Sequence, residues 1–579
     1  MLYLMDPVGE RSCALSSSIT LFGSSINYQS VRWVPPEIYI DLPHRKAHMQ
    51  RKSTKRKSKE KMVSIDGHSL TLDQIEAVAR NNINTELAPA ARILVQDSAN
   101  IVLNLVNSEH PVYGVNTGIG IFASQRIAPE ETVRLARNLI LSHLVGLGAP
   151  FARDIVRAAI LIRANTLAHG HSGVRPLLID TLLDMLMHDV TPYIPCRGSL
   201  GASGDLAPLA HLACVLSAPL EDDPEDYSGQ AWYKDQLMSG AEAMAAADLT
   251  RIRLGPKESL AITNGATFST ALLALACIDA ERVMRCAEIA AALSLEALLG
   301  VSAAFDPRLH NARPHPGQVM VASRIRELTM ESDLLDADNR VQDAYSLRCI
   351  PQILGPVWDT LSFVKMIVTT EINAATDNPL LFGEQAISGG NFHGEPIGLA
   401  ADYLKIALSK AGSLSERRIF RLTAEHTSAG LPPMLVAQTE KVGIYSGLMM
   451  LQYTAASLTL ENQALAMPDT LHSIPTSAGQ EDINPNATTA ARHLTEMIDI
   501  LWKIVAIELI VAAQALDLRL QSMPQAKPGV GTNAAHKFIR KHVPFREVDS
   551  PYAKEIEALS EIICTGDLIR VVTQSLGGS

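Results

Sequence analysis

Downstream of residue 256, apolar positions recur at three- and four-residue intervals, the period of a helix that buries one face. Residues 260–299 are nearly all Ala, Leu, Ile and small side chains, interrupted by Asn264 and Gly265 and closed by Gly300. Residues 357–375 repeat the same spacing and stop before Asp377-Asn378-Pro379, and 396–413, 443–466 and 485–518 behave alike. Asn484 ahead of Pro485 predicts a cap followed by a first-turn proline. Helices this long, and apolar on most faces, need partners on several sides, as in a bundle core or an oligomer. The most apolar stretch, 498–516, carries Asp499, Lys503 and Glu508, so it reads as a buried helix rather than a membrane span. From 64 to 253 helical pattern is mixed with glycine-rich turns, notably 114–120 and 198–204. There, Ser69-Leu70-Thr71-Leu72-Asp73-Gln74 predicts a helix start leading into Ile75, Val78 and Ala79. No repeat of solenoid length is visible. The expected fold is mainly α: a long-helix bundle core over 256–520, a smaller, mixed, loop-rich N-terminal region over 62–255, and a C-terminal helical segment over 521–579.

Composition supports the helical reading. Hydrophobic residues make up 47% and aromatics only 5%, with Ala and Leu dominant, and these residues favour packed helices over sheet. The net charge of −11 argues against broad nucleic-acid binding by the main body. Residues 1–61 differ, because they end in a basic run from Arg45-Lys46 to Lys61. Like-charge blocks of this kind are generally solvated, disordered tails, with a nucleic-acid or anionic-surface patch as the alternative, and a start at Met62 is conceivable. The N-terminus has neither the basic nor the sustained apolar region of a secretory signal. Seven scattered cysteines without a CxxC pair fit a reducing compartment, so the expected location is the cytoplasm.

Chemistry concentrates in Gly198-Ser199-Leu200-Gly201-Ala202-Ser203-Gly204-Asp205-Leu206-Ala207-Pro208-Leu209-Ala210-His211. Taken alone, Ala-Ser-Gly is a tight turn. Flanked by glycines, however, the backbone can fold back so that the Gly204 nitrogen approaches the Ala202 carbonyl. Attack there with loss of two waters would turn Ser203 into a dehydro residue within a five-membered ring. The product is an electrophilic methylidene, a function ordinarily supplied by a cofactor because no side chain is a good electrophile. The whole string resembles the signature of the aromatic amino-acid lyase family, and the resemblance runs from about residue 69 to about 520.

The resemblance implies a fumarase/aspartase-like helical lyase and a 4-methylidene-imidazol-5-one made from Ala202-Ser203-Gly204, with no metal and no pyridoxal phosphate. No HExxH or GxxxxGK[ST] motif is present. Tyr113-Gly114-Val115-Asn116-Thr117-Gly118 resembles the loop presenting the family's catalytic tyrosine, although Ile119 stands where an aromatic is usual. Asn264 is implied to lie close to the prosthetic ring. Val341-Gln342-Asp343-Ala344-Tyr345-Ser346-Leu347-Arg348 resembles a further block, in which Arg348 would grip the substrate carboxylate and Gln342 would assist. Tyr345, three residues earlier, would be a near neighbour of Arg348 on a helix. Phe392, in Ser388 to Pro396, would pack on the prosthetic group, and Thr476 to Asp482, with Gln480 and Glu481, is the last matching block. The implied reaction is an ammonia elimination. The substrate amine adds to the methylidene, Tyr113 removes a β-proton, and Tyr345 and Asn264 stabilise developing charge. A phenol acting as base near neutrality needs positive or hydrogen-bonding partners.

Ring selectivity in the family is read from two residues ahead of a Gly-x-Gly. Aligned from Gly146 the pair is Ser142-His143, as in histidine-specific members, whereas phenylalanine lyases have Phe-Leu. One residue later the pair is His143-Leu144, the tyrosine type. Gln480-Glu481-Asp482 favours histidine, since His143 and Glu481 could bond the two imidazole nitrogens, while a carboxylate is a costly neighbour for a bare phenyl ring. Ile483-Asn484-Pro485-Asn486-Ala487 departs from the continuation usual in the histidine enzymes. The expected activity is therefore elimination from L-histidine to urocanate, with a tyrosine ammonia-lyase or aromatic 2,3-aminomutase as the alternative. The resemblance also implies a homotetramer with active sites shared between subunits. A non-catalytic helical oligomer is the reading from another class, and the retention together of Tyr113, Ser203, Asn264, Tyr345 and Arg348 speaks against it.

Overall fold

The computed structural model describes residues 62–578. The basic segment 1–61, with the disorder and anionic-surface readings attached to it, lies outside the described residues. The first helix, Leu72–Asn81, begins where the sequence places it. Thr71 caps it, its hydroxyl accepting from the Gln74 N–H while the Gln74 side chain accepts from the Thr71 N–H, and Ile75, Val78 and Ala79 are buried.

The core is built from four long helices: Thr267–Ala297, Ile350–Glu371, Glu395–Thr423 and Ala487–Ser522. Ala487–Ser522 packs against both Thr267–Ala297 and Glu395–Thr423, and Ile350–Glu371 lies against Glu395–Thr423. Nearly every side chain of Thr267–Ala297 is buried, which explains its run of Ala, Leu, Cys and Ser: small residues let neighbouring helices approach on all sides. The stretch 498–516 lies within Ala487–Ser522 and is almost wholly buried, and no described helix is long and apolar enough to cross a membrane. Strands are short and peripheral to this core. They form a parallel pair (Val63–Ile65 with Thr85–Leu87), an antiparallel pair (Leu147–Pro150 with Pro195–Arg197), a three-stranded sheet in which Gln230–Tyr233 is central, and the hairpin Leu380–Phe382 with Gln385–Ile387.

Two boundaries differ from the sequence pattern. The last long helix starts at Ala487 after Asn486 in a left-handed conformation, not at Pro485. Asn484 does not cap it, because its amide donates to the Ile474 carbonyl at 2.6 Å, and Pro485 packs on Gly201 instead. The expected helix over 443–466 is regular only from Met449 to Leu465, because Ser446 and Gly447 donate their backbone N–H groups to Asp549 in a turn.

The bundle contains a buried ion pair on which its stability should depend. Arg418 and Glu508 have fully buried side chains and meet in a bidentate pair at 2.5 and 2.8 Å, and Ser294 and Ser415 also donate to the carboxylate. Removing one partner strands the other charge in an apolar interior. Glu508→Ala is therefore expected to destabilise the protein by about 3–5 kcal/mol, read as a lowered urea midpoint, and a change below about 1 kcal/mol would contradict the argument.

Candidate active site

Two features of the fold bring distant segments to one place. Pairing of Leu147 with Arg197 ties the segment just after His143 to the strand that leads into the Gly198–Gly204 turn. The second feature is a break between the helices Glu258–Thr263 and Thr267–Ala297, where Asn264 and Gly265 leave the helical path. Gly204 crosses this break in a left-handed conformation, φ 74°, and a Cβ on it would lie 2.1 Å from the Gly265 carbonyl carbon. Only glycine fits here. The contact is stitched by the Asp205 N–H donating to the Gly265 carbonyl at 2.8 Å and by the Gly204 N–H donating to the Gly201 carbonyl at 3.3 Å. The turn is thus folded back on itself, with Ala202 buried and Ser203 half-buried.

The Asn264 amide donates to the Ser203 carbonyl at 2.8 Å. From the other side, the Ser203 hydroxyl donates to Glu481 Oε1 at 2.6 Å. Glu481 is held in turn by Thr476, whose hydroxyl donates to Oε2 at 3.2 Å and whose backbone exchanges hydrogen bonds with that of Glu481. His143 lies just ahead of the strand whose Leu147–Arg197 pairing ties it to the segment leading into the turn. Burial lowers the imidazole from its ordinary value, the Leu139 carbonyl and Glu481 oppose that shift, and Nδ1 is 3.0 Å from the Ser142 hydroxyl. The structure therefore brings Ser203, Asn264, Glu481, His143 and Ser142 together.

Tyr113 is half-buried, and its phenolic oxygen accepts from the Gly120 N–H at 3.1 Å. The short helical turn Gly120–Phe122 abuts Ser477–Gly479, which precedes Gln480 and Glu481. The Phe392 loop also reaches the turn, since the Gly394 N–H donates to the Gly201 carbonyl at 3.0 Å. Gln480 is exposed next to Glu481.

The remaining predicted residues form a separate cluster. Tyr345 and Arg348 share the short helix Tyr345–Arg348, with the guanidinium 4.8 Å from the tyrosine ring centroid, as their spacing predicts. Arg348 also donates to the Gln342 side chain at 2.6 Å, and its Nε is buried without a partner. Among the described residues, no hydrogen bond or ion pair joins this cluster to the Ser203 turn. Tyr345 is 68% exposed.

Three supporting residues were not singled out from the sequence. Asp205 is fully buried and anchors the turn by accepting from the hydroxyls of Ser199, Ser269 and Thr488 and from the Ser269 N–H. Arg163, fully buried, donates to the Asn264 carbonyl at 2.5 Å, and burial brings its guanidinium down to about 10, still cationic at neutral pH. His211 accepts from the Gly146 N–H at 3.3 Å and fixes the glycine beside the His143 segment. Asp205 and His211 stand in the signature string, but nothing in their spacing reveals these long-range partners.

A family model described as aromatic amino acid lyase matches residues 70–541. A protein named histidine ammonia-lyase from Gloeobacter violaceus is 45% identical over 518 residues, covering 89% of this chain and 98% of its own length. Among solved structures, a tyrosine aminomutase from Streptomyces globisporus superposes with a TM-score of 0.83 at 33% identity, over 89% of this chain and 99% of that one. A histidine ammonia-lyase from Trypanosoma cruzi gives a TM-score of 0.80 at 33% identity, over 89% and 96%.

Proposed function

The chain belongs to the aromatic amino acid lyase family, and from that premise we infer that it eliminates ammonia from L-histidine to give urocanate. The observation that carries the substrate assignment is the placement of Glu481, 2.6 Å from the Ser203 hydroxyl, with His143 on the segment paired to the strand that leads into the same turn. A carboxylate and an imidazole at the reacting centre are suited to a polar, nitrogen-bearing ring and are costly against a bare phenyl group. The relatives named histidine ammonia-lyase support the same reading.

Family membership implies a methylidene-imidazolone group, and we assign it to Ala202-Ser203-Gly204. These residues fit it: the turn is doubled back, Gly204 tolerates no Cβ, and the Ser203 carbonyl is already held by Asn264. When formed, the group supplies an electrophilic carbon for the substrate amine, making ammonia a better leaving group. The side chains then have separable tasks. Tyr113 takes the β-proton, and Asn264, its carbonyl braced by Arg163, holds the oxygen of the turn where charge gathers. Glu481 and His143 orient the substrate ring, with Ser142 fixing His143, Gln480 alongside and Phe392 closing the ring-facing side. Arg348, with Gln342 and Tyr345, grips the carboxylate. Because that cluster stands apart within one protomer, we assign it to the site of a neighbouring copy in a homotetramer. Val341, Ile444, Leu471 and Ile474, each more than 70% exposed, support such an assembly.

A spectrophotometric assay of the purified protein with L-histidine, L-tyrosine and L-phenylalanine tests the reading. Ultraviolet growth from urocanate with histidine alone is expected. Activity on tyrosine would mean that the pocket is read as His143-Leu144, and a β-amino acid product would identify an aminomutase.

A further inference from the structure

Ring formation has to start from the serine that the sequence encodes at position 203. Its hydroxyl donates to Glu481 Oε1 at 2.6 Å. Ring closure requires that same hydroxyl to leave, and hydroxide is a poor leaving group unless a proton is delivered to it. Three other polar neighbours of the turn direct hydrogen bonds elsewhere. The Asn264 amide is bound to the Ser203 carbonyl, not the hydroxyl. The Asp205 carboxylate is occupied by Ser199, Ser269 and Thr488. His143 Nδ1 faces the Ser142 hydroxyl. Among the described residues, Glu481 is the one titratable group hydrogen-bonded to the Ser203 hydroxyl. It is also held in place, since its Oε2 accepts from Thr476 and its backbone is paired with that of Thr476.

We propose that Glu481 is the proton donor that expels the Ser203 hydroxyl during formation of the prosthetic ring, before it ever meets substrate; this rests on the self-formed electrophile inferred above. The steps balance without oxidant or reductant. The Gly204 nitrogen bonds to the Ala202 carbonyl carbon, and that oxygen leaves as water with the amide protons of Gly204 and Ser203. Ser203 then gives its Cα proton to water while its Cβ–O bond breaks. Solvent first protonates Glu481 at Oε1, which reverses the hydrogen bond to Ser203; the bonding pair then leaves with the oxygen, which takes that proton and departs as the second water. The proton that Cα gives to water balances the one solvent supplied, and Glu481 is left as the carboxylate it was. Departure of the hydroxyl also vacates Glu481 Oε1, freeing it for a substrate ring nitrogen. One carboxylate thus serves maturation first and recognition afterwards.

Intact-mass spectrometry of purified full-length protein tests this without any assay of turnover. Wild type is expected to be lighter than its sequence by two waters, and Ser203→Ala to show no such loss. Glu481→Gln, which keeps a hydrogen-bonding side chain of the same shape but has no acidic proton, is expected to lose the second water at least about tenfold more slowly after synthesis, and Glu481→Ala likewise. His143→Ala, a change in the substrate pocket alone, is expected to mature fully. Circular dichroism shows which variants are folded, and if Glu481→Ala is not, Glu481→Gln decides. Two-water loss in Glu481→Gln as fast and complete as in wild type would overturn the proposal. A wild-type protein that loses no water would instead overturn the self-formed electrophile on which it rests.

Discussion

Ser203→Ala is expected to lower turnover of L-histidine by at least about 10⁴-fold while leaving the fold intact, a loss of the size seen when the group carrying a covalent step is removed. At about 1.4 kcal/mol per factor of ten this is at least about 5 kcal/mol of transition-state stabilisation. No other side chain near the turn can replace it. Asn264, Glu481 and His143 offer hydrogen bonds and charge but no electrophilic carbon. The structural effect should be small by comparison. Ser203 makes one side-chain hydrogen bond, to Glu481, whose Oε2 keeps its bond from Thr476 in the variant, so the stability change is about 1 kcal/mol. The measurement pairs urocanate absorbance with a urea unfolding curve. Activity within tenfold of wild type, in protein that unfolds normally, would refute the assignment of Ser203.

How far this site is legible in the sequence depends on whether a residue's task is carried by local chain geometry. The Ala202-Ser203-Gly204 turn is legible because its chemistry needs small residues in consecutive positions, and the structure shows why: Gly204 lies against Gly265 with no room for a Cβ. Asn264 is legible as a misfit, a polar residue that interrupts an Ala- and Leu-rich helical run, and the run does break there. The capped start at Thr71 is equally local. Asp205 is a different case. Its partner Thr488 is 283 residues away, and no periodicity encodes such a contact. Arg163 looks like one polar residue in a helical stretch, yet it braces the Asn264 carbonyl from 101 residues away. Asn484-Pro485 misleads for the same reason. The local signal for a helix cap is sound, but Asn484 is claimed by the Ile474 carbonyl and Pro485 by the Gly201 turn, so the helix begins two residues later. Local preferences yield wherever a tertiary partner competes for the same group.

Two variants that are each nearly inactive are expected to recover activity when mixed. Tyr113→Phe removes the proposed base, worth about 10²–10⁴-fold, and Arg348→Ala removes the proposed carboxylate grip, a loss of about 2–5 kcal/mol in binding a charged partner. Tyr113 belongs to the loop that abuts Ser477–Gly479 beside the Glu481 and Ser203 pair. Arg348 belongs to the other cluster, with Gln342 and an exposed Tyr345, and keeps a buried Nε without a partner. A substrate held by both must be gripped at its carboxylate from one cluster and deprotonated from the other. If the clusters meet only across a subunit boundary, some sites in a mixed oligomer take Tyr113 from the Arg348→Ala chain and Arg348 from the Tyr113→Phe chain. Those sites contain both groups intact. Co-expression should then restore a measurable fraction of wild-type turnover, at least about tenfold above either variant alone, given the losses each carries separately. Size-exclusion chromatography with differently tagged chains establishes that the oligomers are mixed. Mixed oligomers with no recovery would mean that Arg348 serves the Ser203 turn of its own chain, or does not bind the carboxylate. The recovery would also give the exposed position of Tyr345 a functional reason: it would be a side chain placed outward to complete a neighbour's site.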